Sequence, residues 1–253
     1  MSYELDPYVP GDSWLHRLDP RVKLWGVVVG CFTAFWLRDL WWMLVLLGLI
    51  HLLFAWARLP WRKLRELWQQ MALLVLLILL LQPLFRPEGE VLLAWGAVRL
   101  TTGGLYGGAL IALRALSLAF ILALLLLTTA QPSLVRALVR LGLPYTWGVG
   151  ISLTLRFVPA IYALFVAVRE AQAARGWQPD GHPLRRARGY LPVLVAVIIG
   201  TLRLSDQLTL ALAARGFGDA RPRTVWNDLR MRYSDWLGLA LLSLILTVVF
   251  IGR

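Results

Sequence analysis

Residues 106–130 read YGGALIALRALSLAFILALLLLTTA, and this stretch decides the class of fold. A helix that crosses a membrane needs about 20 mostly apolar residues in succession, and here only Arg114 carries a charge. The whole chain agrees, because 59% of its 253 residues are hydrophobic, above the roughly 45–50% of soluble domains. We therefore predict an all-α membrane protein.

Further apolar stretches lie on both sides of this one. They are residues 22–37, 40–57, 71–85 (extended at the start by 66–70) and 235–252. Only Arg38-Asp39 separates the first two, which predicts a tight helical hairpin. Together the stretches predict about five transmembrane helices.

The charges are bunched, and their distribution predicts an orientation. The net charge is +12, and residues 131–234 hold 14 arginines against five acidic residues. The N-terminal segment and residues 58–65 are also rich in arginine and lysine, whereas 86–104 are balanced. Because cytoplasmic loops carry the positive excess, we expect the N-terminus and 131–234 to be cytoplasmic. Basic residues set among such long apolar runs do not suggest nucleic-acid binding.

Residues 131–234 are not an ordinary soluble domain. Two stretches, 151–168 and 191–204, are nearly apolar enough to span a membrane, but Arg156 and Arg203 interrupt them. A charge at mid-bilayer costs several kcal/mol, so we expect amphipathic helices lying against the membrane portion, with two extra spans as the alternative. The predicted organisation is a cytoplasmic N-terminal segment, transmembrane helices 1–4, a cytoplasmic coupling domain and a C-terminal transmembrane helix, at 1–21, 22–130, 131–234 and 235–253.

A five-residue pattern occurs twice, as AARGW at 173–177 and AARGF at 213–217. Glycine is the usual residue where a helix ends in a left-handed cap, and a cation in the last turn complements the helix dipole. One copy needs no further explanation. Two matched copies suggest a repeated partner contact in which each guanidinium forks onto a carboxylate. The candidate docking residues are Ala174, Arg175, Gly176, Ala214, Arg215 and Gly216.

The other sequence patterns give no evidence of a further functional site. A third Ala-Arg-Gly at 187–189 follows HPLRR rather than an apolar helix, and we exclude it from the pair. The phosphate-binding pattern GxxxxGK[ST] does not occur in the sequence. The histidines at 16, 51 and 182 are too scattered for a metal site. We expect no catalytic residue, metal or cofactor in this chain.

Four stretches together resemble the transmembrane (T) component of energy-coupling factor transporters. They are YVPGDSWLHRLDPRVKL (8–24), TTAQPSLVRALVRLGLP (128–144), LTLRFVPAIYALFVAVREAQAARG (153–176) and RLSDQLTLALAARGFG (203–218). The first resembles the opening signature of that family. The others resemble one short and two long coupling helices, with both Ala-Arg-Gly motifs in the expected order.

The resemblance implies a bacterial or archaeal plasma-membrane subunit that is not itself an enzyme. Its implied partners are two ABC-type ATPase subunits, which would hold ATP and Mg, and a small membrane-embedded S component that binds a vitamin or metal ion. The positions that match the family's docking arginines are Arg175 and Arg215. The coupling helices would pass ATP-driven motion to the S component.

Three other interpretations stay open at the level of sequence. An ordinary ABC-importer permease is suggested by EAQAARG (170–176) followed by Leu-Pro (191–192), but it leaves the second motif unexplained. A membrane-embedded transferase would need clustered acidic or histidine residues at a membrane face. A scaffold without ATPase partners is the third.

Overall fold

The computed structural model describes residues 7–85, 90–95, 98–177, 188–218 and 231–251, and within them the fold is almost wholly helical. The helices are α1 Trp14–Arg17, α2 Pro20–Trp36, α3 Leu40–Trp56, α4 Trp61–Phe85, α5 Thr102–Thr128, α6 Gln131–Arg140, α7 Tyr145–Ala174, α8 Leu191–Ala214 and α9 Tyr233–Ile251. The predicted all-α membrane class is confirmed.

The chain divides into two compact units. The larger contains the described residues up to Leu143 and from 231 onward, and the smaller contains those from Pro144 to 218. The larger unit therefore holds α1–α6 and α9. The smaller unit consists of the two long helices that carry the repeated motifs.

The core of the larger unit lies where α3 and α5 meet. Ile50 and Phe54 of α3 are buried against Leu116 and Phe120 of α5, and the Phe54 and Phe120 rings meet edge to face with centroids 5.8 Å apart. The His51 ring also packs on Phe120, with centroids 4.9 Å apart, so side-chain shape and close packing specify this contact.

Small residues bring α5 close to α4. A Cβ atom added at Gly108 would lie only 3.2 Å from the Cβ atom of Gln82, so a larger residue would force the helices apart. The glycines at the start of α5 thus include one whose role is helix packing, as expected of small residues between membrane helices.

Helix α4 begins earlier than hydropathy predicts. Its first residue is Trp61, directly after Pro60, so most of the basic stretch 58–65 is helical rather than a loop. Within it Arg62 and Lys63 both contact Glu66, at 3.1 and 3.3 Å. Such pairs at helical spacing support a helix, and they carry α4 beyond the apolar segment.

A feature that the sequence analysis did not predict is a short antiparallel hairpin between α4 and α5. Strand β1, Val91–Trp95, pairs with β2, Val98–Thr101, with Val91 opposite Thr101 and Trp95 opposite Val98. At the end of β2 the Thr101 hydroxyl accepts a hydrogen bond from Gly104 N–H at 3.2 Å and so caps the start of α5.

In the smaller unit α7 and α8 form an antiparallel pair. Gly200 of α8 meets Leu164 of α7, where an added Cβ would lie 2.8 Å from a Leu164 methyl carbon. Farther along, Trp177 after α7 contacts Tyr190 before α8. Since the contacting positions rise along α7 while they fall along α8, the two helices run in opposite directions.

Four of the described helices are long and apolar enough to cross a membrane, by length and composition. They are Trp61–Gln82 of α4, all of α5, α7 and α8, while α3 is a shorter apolar helix. Length and composition therefore do not separate amphipathic coupling helices from additional spans. The placement of α7 and α8 beside the membrane stays a prediction.

Candidate functional site

The first repeated motif forms a complete helix C-cap. Arg175 ends α7 with φ −86° and ψ 10°, and Gly176 follows with φ +83°. The N–H of Trp177 donates to Gln172 O at 3.0 Å and that of Gly176 to Ala173 O at 2.9 Å. These two bonds define the Schellman cap, in which glycine takes the left-handed position.

The second motif repeats this geometry at the end of α8. Arg215 has φ −90° and ψ 11°, and Gly216 has φ +72°. The N–H of Phe217 donates to Leu212 O at 2.9 Å, and that of Gly216 donates to Ala213 O at 2.9 Å. The predicted left-handed caps are thus both present, and they hold their arginines in the same backbone conformation.

Both arginines are exposed, and so are the alanine before each and the glycine after it. Within the described residues neither guanidinium has a hydrogen-bond or ion-pair partner from this chain. A guanidinium presents its N–H donors in a planar fork that suits a carboxylate. Within the described part of the chain, each helix end is therefore a charged, sterically open surface that an acidic groove can approach closely.

The two motifs lie at opposite ends of the α7–α8 pair. Arg175 lies about 16 Å along α7 from Leu164, at a rise of about 1.5 Å per residue. Arg215 lies about 22 Å along α8 from Gly200, in the opposite direction. The two helix ends are thus roughly 30–40 Å apart along the pair, too far for one small acidic site to bind both arginines.

The third Ala-Arg-Gly has a different structure. Arg188 and Gly189 lie in a helical turn just before α8, and Gly189 has no left-handed backbone. Its carbonyl oxygen instead accepts a hydrogen bond from the Trp177 indole N–H, at 2.7 Å. Excluding this copy from the pair agrees with the geometry, since it presents no capped helix end; Ala187 lies outside the described residues.

Arg114, the charge inside α5, caps a neighbouring helix. Its Nε–H donates to Ala34 O and its Nη2–H donates to Leu37 O, each at 2.8 Å, and its guanidinium lies 5.8 Å from the Phe35 ring centroid. These carbonyls belong to the last turn and C-cap of α2, where a cation also complements the helix dipole. Arg114 therefore pairs within the helix bundle.

The N-terminal signature is folded against the ends of α5 and α9. The N–H of Val9 donates to Leu127 O at 3.0 Å, and Lys23 Nζ donates to Thr128 O at 2.8 Å. The His16 Nε2 atom lies 3.1 Å from Val9 O, and desolvation lowers the pKa of this imidazole below its usual 6.5. Because a carbonyl oxygen can only accept a hydrogen bond, Nε2–H donates to the Val9 carbonyl.

Asp235, near the other end of the chain, forms a hydrogen bond with this N-terminal segment. Its buried carboxylate accepts the N–H of Asp19 at 2.9 Å and that of Arg232 at 2.7 Å. The start of α2 and the start of α9 are thereby joined. In the sequence Asp235 is only the first residue of the apolar stretch 235–252, and no local signal marks a contact between positions so distant in sequence.

Long apolar helices and a paired helix unit with two exposed capped arginines define the class as a multi-pass, all-α membrane protein. Residues 11–226 match the model of the CbiQ family, described as cobalt transport protein. The chain is 30% identical over 250 residues to the energy-coupling factor transporter transmembrane protein EcfT of Streptococcus equi subsp. equi, covering 95% of this chain and 93% of that protein.

Two further relatives give the same result. The EcfT proteins of Listeria innocua and Thermanaerovibrio acidaminovorans are each 31% identical over 253 residues, covering 94% of this chain and 95% and 92% of the relatives. The chain therefore belongs to the family of energy-coupling factor transporter transmembrane proteins. It is a membrane component of a transporter, and the resemblance to the T component is confirmed.

Proposed function

We propose that this T component couples two ATPase subunits to a substrate-binding S component through its two capped arginines. The observation that carries the proposal is the duplicated helix end, with the same dihedral angles, hydrogen bonds and exposure at both sites. A single partner contact would need only one such end. Two ends roughly 30–40 Å apart fit two separate subunits.

In the proposed docking contact, each guanidinium forms an ion pair with a carboxylate of an ATPase subunit. Arg175 and Arg215 lack intramolecular partners in the described structure, so docking would break no bond within this chain. The alanines beside them allow the partner surface to approach the helix end. ATP and Mg would be bound by the ATPase subunits, and this chain would contribute no catalytic group to hydrolysis.

The S component is the proposed partner of the apolar faces of α7 and α8. Leu155 and Tyr162 on α7 and Leu194, Ile198 and Leu202 on α8 are exposed. Exposed apolar side chains in such numbers favour burial against another hydrophobic surface. A small membrane protein that binds a vitamin or a metal ion would bury them, and substrate choice would then reside in that protein.

The proposed orientation places the N-terminus and the coupling domain in the cytoplasm. The arginine excess of residues 131–234 supports this orientation. Exposed tryptophans also flank α3, with Trp41 and Trp42 at its start and Trp56 at its end, as expected where a helix crosses both membrane interfaces. The membrane would be the plasma membrane of a bacterium or archaeon.

The proposal is tested by replacing Arg175 and Arg215 with alanine, singly and together. Removing one partner of a desolvated charge pair costs about 2–5 kcal/mol, so we expect each single variant to bind one ATPase subunit at least 30-fold more weakly. The double variant should insert into the membrane normally but neither retain the ATPases nor transport. Stoichiometry is measured by mass spectrometry of the complex purified gently from its native membrane.

Arg188→Ala is the matched control, because Arg188 is exposed but lies in no capped helix end. It should leave ATPase binding unchanged. Normal assembly and transport by the Arg175→Ala/Arg215→Ala variant would refute the docking role. Recovery of one ATPase with a soluble binding protein would instead favour the arrangement of an ordinary permease.

A further inference from the structure

The aromatic residue after the first motif contacts this chain itself. The Trp177 indole N–H donates to Gly189 O at 2.7 Å, and its ring meets the Tyr190 ring edge to face, with centroids 5.0 Å apart and planes at 83°. At the first motif the ring contact and the only polar atom of the Trp177 side chain are thus used within this chain.

We propose that Trp177 is a positioning residue that ties the first docking arginine to the start of α8. Arg175 is two residues from Trp177, and Tyr190 immediately precedes α8. The second docking arginine ends the same helix. Helix α8 then connects both docking points, the first through Trp177 at its start and the second through Arg215 at its end. This inference rests on the proposed function.

The two motifs differ in the chemistry of this one position. Phe217 stands where Trp177 stands in the first motif, and a phenyl ring has no N–H group to donate. The backbone caps are the same at both sites, so the cap does not require the indole. The hydrogen bond from Trp177 to Gly189 is therefore an additional contact of the first motif, which lies beside the start of α8.

The contact of Trp177 with the start of α8 has a mechanical consequence for the transmission of motion between the two docking arginines. Helix α8 has 24 residues, which gives a length of about 36 Å, close to the separation of the two arginines. Because Gly200 and Leu164 hold the middle of the pair together and Trp177 holds one end, a displacement at Arg175 moves α8 with it. Without Trp177 the end of α7 could move while α8 stayed in place.

The contact between Trp177 and the start of α8 is tested first in the complete chain without partners. Spin labels are attached through cysteines at Glu170 and Leu194, both exposed, after Cys31→Ser removes the native thiol. We expect a single narrow distance distribution in the otherwise wild-type chain, a broader one in Trp177→Phe and a still broader one in Trp177→Ala. Phe217→Ala is the control and should leave this label pair unchanged. Distributions that are equal in all three chains would overturn the inference.

The second measurement uses the assembled transporter. A net hydrogen bond contributes about 0.5–1.5 kcal/mol, so we expect Trp177→Phe to lower transport per ATP hydrolysed about two- to tenfold. ATPase affinity should stay within about twofold, since Arg175 is untouched. Parallel loss of affinity and transport would make Trp177 a partner contact and overturn the proposal, as would unchanged coupling. The arginine variants test docking separately, while the spin-label distances depend on no partner.

Discussion

At the scale of single residues, each docking arginine depends on the glycine that follows it. A residue with a Cβ atom pays a steric cost in left-handed backbone, about 1–2 kcal/mol, and φ is +83° at Gly176 and +72° at Gly216. Among the described residues, an added Cβ at either glycine would meet no atom within 4 Å. The requirement for glycine is therefore conformational, and it keeps the surface around each arginine open.

We expect Gly176→Ala to weaken ATPase binding although Arg175 is unchanged. The strain of about 1–2 kcal/mol opens the cap and shifts the guanidinium, which should lower the affinity about five- to 30-fold. Gly176→Asn should lose less, because asparagine tolerates left-handed backbone. Affinity is measured by titrating purified ATPase onto the chain in nanodiscs.

Gly150→Ala provides the control for this substitution. Gly150 lies within α7, and an added Cβ there also meets no atom of the described part of the chain within 4 Å, so the substitution introduces a methyl group without left-handed strain. It should bind ATPase like the wild type. Equal affinities for Gly176→Ala and the wild type would show that the cap does not position Arg175.

At this scale the sequence predicts the two helix caps but not which atoms the nearby polar side chains contact. The glycine after each arginine predicted both left-handed positions, because helix ends are encoded by adjacent residues. The partners of Arg114 and Trp177 were not predictable. Ala34 O and Gly189 O are backbone atoms of residues 80 and 12 positions away, and backbone acceptors leave no trace in a sequence pattern.

At the scale of elements, hydropathy located most helices but not their ends. The segment 40–57 corresponds closely to α3, Leu40–Trp56, whereas 71–85, even with its extension at 66–70, begins five residues after α4, Trp61–Phe85, does. Hydropathy marks the part of a helix that suits the membrane interior. Ion pairs such as Arg62–Glu66 continue the helix outside it, and the pairing of α7 with α8 depends on contacts that periodicity alone does not specify.

The pairing of α7 with α8 gives a prediction at the element scale. Gly200→Leu should separate the helices, because even a Cβ atom at Gly200 would lie 2.8 Å from a Leu164 methyl carbon. Overpacking costs about 1–3 kcal/mol, so the purified chain should unfold at a lower temperature. Gly200→Ala should be tolerated, since the Leu164 methyl group can rotate away and alanine favours helix by about 1 kcal/mol.

Gly150→Leu is the matched control, because it adds the same side chain to the same unit at an open position. Its unfolding temperature should remain near that of the wild type. If Gly200→Leu were equally stable, the two helices would not depend on close approach at this point. Scanning calorimetry in detergent distinguishes the two results.

At the scale of the whole molecule, the larger unit brings distant parts of the chain together. Asp19 and Asp235 are 216 positions apart, yet the buried Asp235 carboxylate joins the segment before α2 to the start of α9. Beside it, Gly238 lies against Val22, where an added Cβ would approach to 3.2 Å. The C-terminal helix is thus held at its first turn by both a polar contact and close packing.

We expect Asp235→Ala to lower the stability of this unit. The variant leaves the N–H groups of Asp19 and Arg232 without their acceptor, and an unsatisfied buried donor costs about 1–3 kcal/mol. Asp235→Asn should be intermediate, because the two donors bind different carboxylate oxygens and an amide retains only one acceptor oxygen. The expected order of unfolding temperatures is therefore wild type, Asp235→Asn, Asp235→Ala.

Asp206→Ala serves as the control, since Asp206 is an exposed carboxylate on α8 in the smaller unit. It should change the unfolding temperature little. Limited proteolysis adds a spatial readout, because cleavage near α9 should increase in Asp235→Ala and not in Asp206→Ala. An Asp235→Ala chain as stable and as resistant as the wild type would mean that apolar packing alone holds α9 against α2, and that the buried carboxylate contributes nothing to joining the two ends of the chain.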